Sequence, residues 1–336
     1  MRSDAKNNQP LISVVIPVYN GGNLLRCMLD SVVVQTERSF EVLLIDDGSS
    51  DDTTLGILDF YAIKDARLKV IHQTNIGVER TRDKGISLAK GEWVYVCDQD
   101  DYLHPRLFEF ALWACNKYKL DFLKIKHQFG SIASTEKLDA FDNFSVAHID
   151  VIDNKLNDGA YIGKMLRQLH PDLWAQFTKR ELASAFSCAK MDVARVFHIV
   201  TLANRWGLSE VPLYYYHGDI ADSMIHQAIK PSDVEVLHNG WRNVYDFYAS
   251  RAVDDHGREI FRNVCEGQIA DKLKVILHMI KRLNKLNNAA TRIRVWKSFG
   301  EMLWDFIFIR RISIKMTGAK RYLEYLAIAL FSRIKG

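Results

Sequence analysis

The stretch Trp93 to Asp101 reads W-V-Y-V-C-D-Q-D-D and divides into an apolar half and an acidic half. Its first five residues favour β-structure and end at Asp98, a pattern typical of a buried strand that stops at a polar edge. Three carboxylates follow, at Asp98, Asp100 and Asp101. Like charges this close raise one another's pKa, so a hard divalent cation is the favoured occupant. The alternative is a solvated acidic turn that caps a helix starting near Pro105.

Strand-type and helix-type patterns alternate on the N-terminal side of this stretch. Three short apolar runs followed by turn clusters predict strands over Ser13–Val18, Phe40–Ile45 and Leu68–His72. Between them, apolar residues at helical spacing predict helices over 24–32, 53–63 and 80–89. Asn20 or Asn23 is a candidate N-cap of the first helix. Alternating strands and helices indicate a parallel sheet.

Polar or aromatic side chains follow each predicted strand: Tyr19, Asp47, Asn75 and Asp98. Because ligands of parallel sheets bind at the carboxyl ends of the strands, we expect these side chains to meet at one edge. The first turn, Y-N-G-G-N, is not a glycine-rich phosphate loop. A bound diphosphate would therefore be neutralised by a metal and basic side chains, with Arg82 the best-placed candidate. The alternative is that Arg82 is an ordinary surface charge.

Composition and charge limit the possible classes of protein. The 336 residues are 48% hydrophobic, which is sufficient for a packed core. From Lys272 onwards there are 15 Lys and Arg against 3 Asp and Glu, so an acidic body precedes a basic tail. Five widely spaced cysteines favour reduced thiols in a cytosolic compartment. We expect neither a signal peptide nor a membrane-spanning helix.

Four motifs resemble, in order and spacing, the GT-A fold glycosyltransferases of family 2, across Leu11 to Tyr118. They are S-V-V-I-P-V-Y-N, F-E-V-L-L-I-D-D-G-S-S-D-D-T, T-R-D-K-G and G-E-W-V-Y-V-C-D-Q-D-D-Y. The resemblance implies an α/β fold with a mostly parallel, Rossmann-like sheet, followed by a helical C-terminal region. It also implies a bacterial enzyme that builds surface polysaccharide, such as lipopolysaccharide or capsule, from nucleotide-activated sugars.

The resemblance assigns roles to individual residues. Tyr19 would stack on the base, and Asp47 would accept the N3–H of uracil, which favours a UDP-sugar donor. Asp100 would hold Mn²⁺ or Mg²⁺, with Asp101 in support. The implied donor-binding residues are Pro17, Tyr19, Asp47, Asn75, Arg82, Asp98, Asp100 and His217. Asp83 stands where the family usually has Asn, and its carboxylate would weaken the pull of Arg82 on the diphosphate.

The second half of the chain matches the family more weakly. We expect a strand over 122–125 and a loop-rich, acceptor-facing insertion from Phe129 to Asp158. The stretch from Leu173 to Arg180, L-W-A-Q-F-T-K-R, is similar to the family's W-x-x-x-F-x-[KR]-R stretch. A second match spans 190–197, where Met191 replaces the family's usual Glu. Asp192 is the predicted general base. His217 is the one histidine of the segment 212–224 and could reach a metal, and the alternative is a structural or phosphate-contacting role.

The expected domains are a catalytic domain over 1–230, with a donor half over 11–118 and an acceptor-facing half over 119–230, and a helical basic region over 231–336. This region mixes cations with Trp296, Trp304, Phe306 and Phe308. It is therefore predicted to hold the enzyme on the inner, cytoplasmic face of an anionic membrane. The alternative is that the helices pack on the catalytic domain or on a second subunit as a homo-oligomer.

The predicted activity is inverting transfer of a sugar to a hydroxyl of a glycan or lipid-linked acceptor. Such a reaction needs a cation on the leaving diphosphate and a base on the opposite face, but no covalent nucleophile. Two other classes remain open. One is a catalytically impaired nucleotide-sugar-binding or scaffolding protein, which the replacement by Met191 makes conceivable. The other is a regulatory protein whose basic tail binds nucleic acid, although no recognised motif accompanies the charge.

Overall fold

The computed structural model describes residues 9–129, 144, 147–169, 174–185, 192–217, 231–251 and 289–309, with 273, 277, 325, 328 and 329. The strands are β1 (Ile12–Val18), β2 (Phe40–Asp46), β3 (Leu68–His72), β4 (Trp93–Val96), β5 (Tyr102–Leu103), β6 (Phe122–Phe129), β7 (Ile149–Asp153), β8 (Gln176–Lys179) and β9 (Arg205–Tyr216). The helices are α1 (Gly22–Val33), α2 (Asp52–Lys64), α3 (Val78–Leu88), α4 (Leu107–Tyr118), α5 (Gly159–Gln168), α6 (Arg180–Ser184), α7 (Asp192–Leu202), α8 (Pro231–Arg251) and α9 (Ala289–Trp304), followed by a π-helical turn, Asp305–Ile309.

The strands form one mixed sheet in the order β3-β2-β1-β4-β8-β6-β9-β5, with β7 paired to β9. The first four strands in this order are parallel, as predicted. Strand β8 is antiparallel to both β4 and β6, and β9 is parallel to β6. The carboxyl ends of β1 to β4, β6 and β9 and the amino end of β8 therefore lie at the same edge of the sheet.

The chain divides into two compact units, 1–155 with 171–220, and 156–170 with 221–336. The first unit contains the whole sheet, and every residue of β1, β2 and β4 is buried. Strands covered on both faces read as continuous apolar runs, which explains why the sequence pattern located them. The second unit contains α5, α8 and α9. The predicted boundary at residue 230 stays a prediction.

Within the second unit, helix α9 buries one face and exposes the other. Val295, Phe299 and Phe306 are fully buried, and His238 on α8 lies 2.7 Å from the carboxylate of Asp305. The predicted helix over 234–250 is confirmed by α8, whereas the one predicted over 259–284 falls almost entirely outside the described residues. None of the helices that the structure describes is both long enough and apolar enough to cross a bilayer.

Several local predictions are wrong. Neither Asn20 nor Asn23 caps α1, whose N-cap is Gly21 without a side-chain hydrogen bond. The acidic turn does not cap the next helix either, because α4 begins at Leu107 without any side-chain cap. The insertion predicted as loop-rich contains a strand, β7, although its residues 130–143 and 145–146 lie outside the described part of the chain.

A buried carboxylate joins the strands at the opposite edge of the sheet. Glu41 accepts hydrogen bonds from Ser13 Oγ (2.7 Å), Lys69 Nζ (2.7 Å) and the Lys90 backbone N–H (2.9 Å). Burial acts to raise the pKa of Glu41, but the hydrogen bonds outweigh it and hold the pKa below the ordinary value. The Gly91 N–H donates to Ser13 Oγ at 2.8 Å, and a Cβ at Gly91 would lie 2.6 Å from the Ser13 nitrogen.

Replacing Glu41 with Gln is expected to lower the free energy of unfolding by about 1–3 kcal/mol at pH 7. The N–H groups of the Gln side chain would then face the groups that now donate hydrogen bonds to the carboxylate. Because the pKa of Glu41 is lower in the folded protein, the ionised carboxylate stabilises the folded state at pH values above the ordinary pKa of 4.5. This stabilisation is lost as the pH falls through the folded pKa. The difference between the two proteins should therefore shrink below pH 4.5 in denaturant titrations. The control is Glu210→Gln, which breaks a half-exposed pair with Lys126 and should change little. Equal effects of the two variants would contradict a stabilising network.

Candidate active site

The carboxyl edge of the parallel strands brings the predicted site residues together. Tyr19 directly follows β1, Asp47 directly follows β2, and Asn75 and Asp98 come shortly after β3 and β4. Since these strands are neighbours in the sheet, the predicted convergence of the four positions is confirmed. Pro17 lies inside β1, buried opposite Ile45 of β2.

A glutamine inside the acidic motif fixes the turn after β1. The side-chain oxygen of Gln99 accepts from the Tyr19 backbone N–H at 2.9 Å, and its amide donates to the Tyr19 carbonyl at 3.0 Å. A Cβ at Gly21 would lie 2.6 Å from this oxygen, so a larger residue there would displace the Gln99 side chain. The Tyr19 backbone is held in place while half of its side chain stays exposed, as a stacking surface needs. No pattern in the sequence indicated this role of Gln99.

Asp47 is buried and organises the loop after β3. Its Oδ1 accepts from Gln73 Nε2 (2.7 Å) and the Ile76 N–H (2.8 Å), and its Oδ2 accepts from the Gly77 N–H (2.9 Å). A carboxylate offers about four acceptor positions, so one on Oδ2 is left for a ligand donor. Asn75, in the same loop, is exposed.

Arg82 lies on α3 and is directed at the acidic motif. Its side chain is only 7% exposed, and Nη2 lies 2.6 Å from Asp98 Oδ1. The alternative interpretation of Arg82 as an ordinary surface charge is therefore wrong. The neighbouring Asp83 pairs with Arg195 of α7, which also donates to the Ala183 carbonyl at 2.8 Å. This second guanidinium offsets the charge of Asp83, so the expected weakening of Arg82 is reduced.

Of the last two carboxyl groups of the motif, Asp101 is buried and Asp100 is partly buried. Burial and the nearby charge of Asp98 raise the pKa of Asp100 to about 6 and that of Asp101 to about 8. Asp101 Oδ2 is hydrogen-bonded to the Tyr214 hydroxyl, and Oδ1 accepts from the His217 backbone N–H at 2.9 Å. Both oxygens of Asp101 are thus engaged by β9 and its end. The motif is locked to the second half of the sheet, which the sequence pattern did not indicate.

The donor chemistry of this motif fits a divalent cation. Carboxylate oxygens are the preferred ligands of Mg²⁺ and Mn²⁺, and a cation would offset the repulsion that raises the pKa of Asp100. In the described part of the chain, no three His, Cys, Asp or Glu side chains are grouped so as to enclose a metal by themselves. A cation here would therefore need further ligands, such as diphosphate oxygens and water.

Two predicted residues are placed only in part. Asp192 is the first residue of α7, and its side chain lies outside what the structure describes. His217 follows β9 directly, and its backbone N–H is committed to Asp101.

Comparison with known proteins places this architecture among the GT-A nucleotide-sugar transferases. The crystal structure of S. aureus TarS 1–349 has a TM-score of 0.67 at 18% identity, over 96% of this chain and 88% of that one. The same fragment is also known in complex with UDP-GlcNAc. The mannosyltransferase PcManGT of Pyrobaculum calidifontis, in complex with GDP-Man and Mn²⁺, has a TM-score of 0.51 at 14% identity, over 97% of this chain and 87% of that one.

Residues 13–155 match the profile described as glycosyl transferase family 2. Glycosyltransferase GlyG of Streptococcus pneumoniae is 39% identical over 100 residues, which are 30% of this chain and 33% of GlyG. The matches span about a third of the length of such curated relatives.

Proposed function

We propose that this protein is an inverting glycosyltransferase that moves a sugar from a UDP-sugar to a hydroxyl of a glycan or lipid-linked acceptor in bacterial surface polysaccharide synthesis. The pair of buried Arg82 with partly exposed Asp98, beside two carboxyl groups of raised pKa, carries the proposal. Such a cluster is unfavourable without a ligand and suits a site that binds a cation and a diphosphate. The complex of the TarS fragment with UDP-GlcNAc supports a UDP-sugar donor.

Asp100 would hold the divalent cation. Asp101 would support it by anchoring the acidic motif to Tyr214 and His217. When bound, Mn²⁺ or Mg²⁺ neutralises charge on the leaving diphosphate. The Mn²⁺ complex of PcManGT supports this assignment. Arg82 would add a second positive charge at the same diphosphate, because its guanidinium already faces this edge through Asp98.

The reaction is a single displacement at the anomeric carbon. The acceptor oxygen forms a bond to that carbon, the bond from the carbon to the diphosphate oxygen breaks, and the acceptor proton passes to a carboxylate. We assign this base to Asp192, where the sequence resembles the family's acidic pair.

Measuring hydrolysis of UDP-sugars in the presence of Mn²⁺ tests the proposal. A thermal-shift screen of UDP, GDP and CDP sugars with the metal would first identify the donor without knowledge of the acceptor. Metal-dependent release of UDP from one of these donors is the expected result. Binding without any turnover would indicate an impaired, nucleotide-sugar-binding protein instead.

The base preference gives a prediction for Asp47. UDP should bind more tightly than CDP or ADP, and Asp47→Ala should remove most of that preference, about 1.5–3 kcal/mol for one charged hydrogen bond. Because Asp47 also holds the loop over 73–77, Gln73→Ala is the matched control: it removes one donor to Asp47 but keeps the carboxylate. The control should weaken UDP and CDP equally in calorimetric titrations. Indifference of the wild-type protein to the base would contradict the assignment.

We further propose that the basic C-terminal region holds the enzyme at the cytoplasmic surface of an anionic membrane. On α9, Ile293, Arg294 and Lys297 are exposed together, and Phe308 and Ile309 are exposed just beyond it. Phe306 is fully buried within its own unit, so its predicted place at headgroup depth is wrong. Each well-placed cation contributes about 1 kcal/mol near such a surface.

Sedimentation with liposomes measures this attachment. The full chain should pellet with vesicles containing anionic lipid, less so at high salt, and not after truncation before Lys272. The double variant Arg294→Glu with Lys297→Glu keeps both units and should weaken pelleting markedly. If the full chain ignores the vesicles, the helices serve the fold or a contact between copies of the chain instead.

A further inference from the structure

An aromatic cluster lies beside the acidic motif, on the strands of the second half of the sheet. Tyr214 and Tyr216 of β9 share a face with His127 and Phe129 of β6, because His127 pairs with Tyr214 and Phe129 with Tyr216 in the parallel register. Trp174, just before β8, stacks on both tyrosines, with ring centroids 5.1 and 5.2 Å apart. We call Phe129, Trp174 and Tyr216 the aromatic platform.

The platform is connected directly to the candidate active site. Tyr214, on which Trp174 stacks, is hydrogen-bonded through its hydroxyl to Asp101. Tyr216 is followed by His217, whose N–H also binds Asp101. At its outer end, Phe129 is 72% exposed and stands nearly perpendicular to Tyr216, with ring centroids 5.5 Å apart. The rings form a corner that opens to solvent next to the acidic motif.

The backbone next to Trp174 is held in an unfavourable conformation. Ala175 has φ of +56°, a left-handed conformation that is unfavourable for a residue with a Cβ. Two hydrogen bonds hold it: Ile125 N–H donates to the Ala175 carbonyl at 2.8 Å, and the buried Lys124 donates to the Trp174 carbonyl at 2.7 Å. Lys124 Nζ also lies 4.9 Å from the centroid of the Trp174 ring. The tryptophan is itself buried, at 8% exposure, and is held in one position. It therefore supports Tyr216 from within the protein, while Phe129 and Tyr216 are the members of the platform that a ligand can contact.

The order of the strands determines which substrate faces the platform. The nucleotide candidates lie after β1, β2 and β3, and the acidic motif follows β4. The platform is on β6, β9 and the start of β8, on the other side of the motif. In a single displacement the acceptor approaches the anomeric carbon opposite the diphosphate. The acceptor is thus expected on the side where the platform lies.

From this placement we propose that the aromatic platform binds a sugar ring of the acceptor, by stacking against the C–H face of a pyranose. Aromatic faces carry negative potential, and the C–H bonds of a pyranose are polarised by the ring and hydroxyl oxygens, so the two surfaces attract. His127, half-buried at the base of the cluster, adds a polar group that suits a sugar hydroxyl. The assignment rests on the proposed glycosyltransferase function and makes the acceptor a saccharide, at least at its terminal residue.

Saturation-transfer NMR with simple glycosides tests this proposal on the full chain. The probes are the methyl β-glycosides of glucose, galactose and N-acetylglucosamine, each measured with and without UDP and Mg²⁺. Ring protons of at least one glycoside should receive saturation. Phe129→Ala and Tyr216→Ala should weaken its binding about threefold to tenfold. Phe129→Leu keeps apolar area but removes the ring, so it should resemble the alanine variant.

The control is Phe60→Ala, which removes another exposed phenylalanine, on α2, and should leave glycoside binding unchanged. UDP binding by the Phe129 variants should match the wild type, which shows that the fold and the donor site are intact. The proposal is overturned if no glycoside binds, or if the platform variants bind it as the wild type does. If the wild-type protein does not bind UDP at all, the proposed function itself is refuted. Glycoside binding and UDP binding are measured in separate titrations, so the two failures can be told apart.

Discussion

Replacing Asp100 with alanine is expected to abolish metal-dependent UDP binding and to lower kcat/KM by about 10³-fold or more. Among the described residues, the Asp100 carboxylate is hydrogen-bonded to no other side chain, whereas Asp98 pairs with Arg82 and Asp101 is bound to Tyr214 and His217. Losing the cation would remove several kcal/mol of charge stabilisation from the departing diphosphate. Steady-state kinetics with varied Mn²⁺ measures the effect.

The same substitution should stabilise the metal-free protein. The pKa of Asp100 is raised to about 6 in the folded protein. The ionised carboxylate therefore destabilises the fold above pH 6, and this effect disappears below the ordinary pKa of 3.8, where the group is protonated in both states. Thermal unfolding at pH 7 should show a gain on the order of 1–2 kcal/mol that fades as pH falls towards 4. Asp59→Ala, at an exposed position of α2, should change neither property. Wild-type turnover of the Asp100 variant in Mn²⁺ would mean that the metal site is wrongly assigned.

Replacing Asp192 with asparagine is expected to lower kcat by about 10²-fold to 10⁴-fold while donor affinity stays nearly constant. The amide is close to isosteric but cannot take up the acceptor proton. Single-turnover transfer gives the chemical step, and UDP-sugar titration gives the affinity. Equal losses of turnover and donor binding would indicate that Asp192 serves the structure.

A second variant separates this assignment from an impaired enzyme. Met191→Glu restores the residue that the family usually carries next to the aspartate. If Asp192 is a sufficient base, this change should give little or no gain in turnover. A large gain would show that the natural chain lacks part of its catalytic machinery.

The acidic motif illustrates how far the sequence predicted the site. The apolar run before Asp98 located β4, and the polar residue after each strand located the edge, because a parallel sheet puts all carboxyl ends on one side. The family resemblance assigned the metal to Asp100 with Asp101 in support, but the sequence did not indicate which residues contact these carboxylates. Their partners come from distant segments: Asp98 meets Arg82 of α3, and Asp101 meets Tyr214 of β9.

The sequence by itself determined the parallel half of the sheet and the edge at which Tyr19, Asp47, Asn75 and Asp98 meet, since both depend on local pattern and chain order. The tertiary structure alone decided that Arg82 is buried, that Arg195 neutralises Asp83, and that Gln99 fixes the turn after β1. It also brought Phe129, Trp174 and Tyr216 into one platform. Arg195 and Asp83 are 112 positions apart, and no periodicity records such a contact. Long-range pairs of this kind depend on how the strands order themselves in the sheet, which is a property of packing rather than of local sequence.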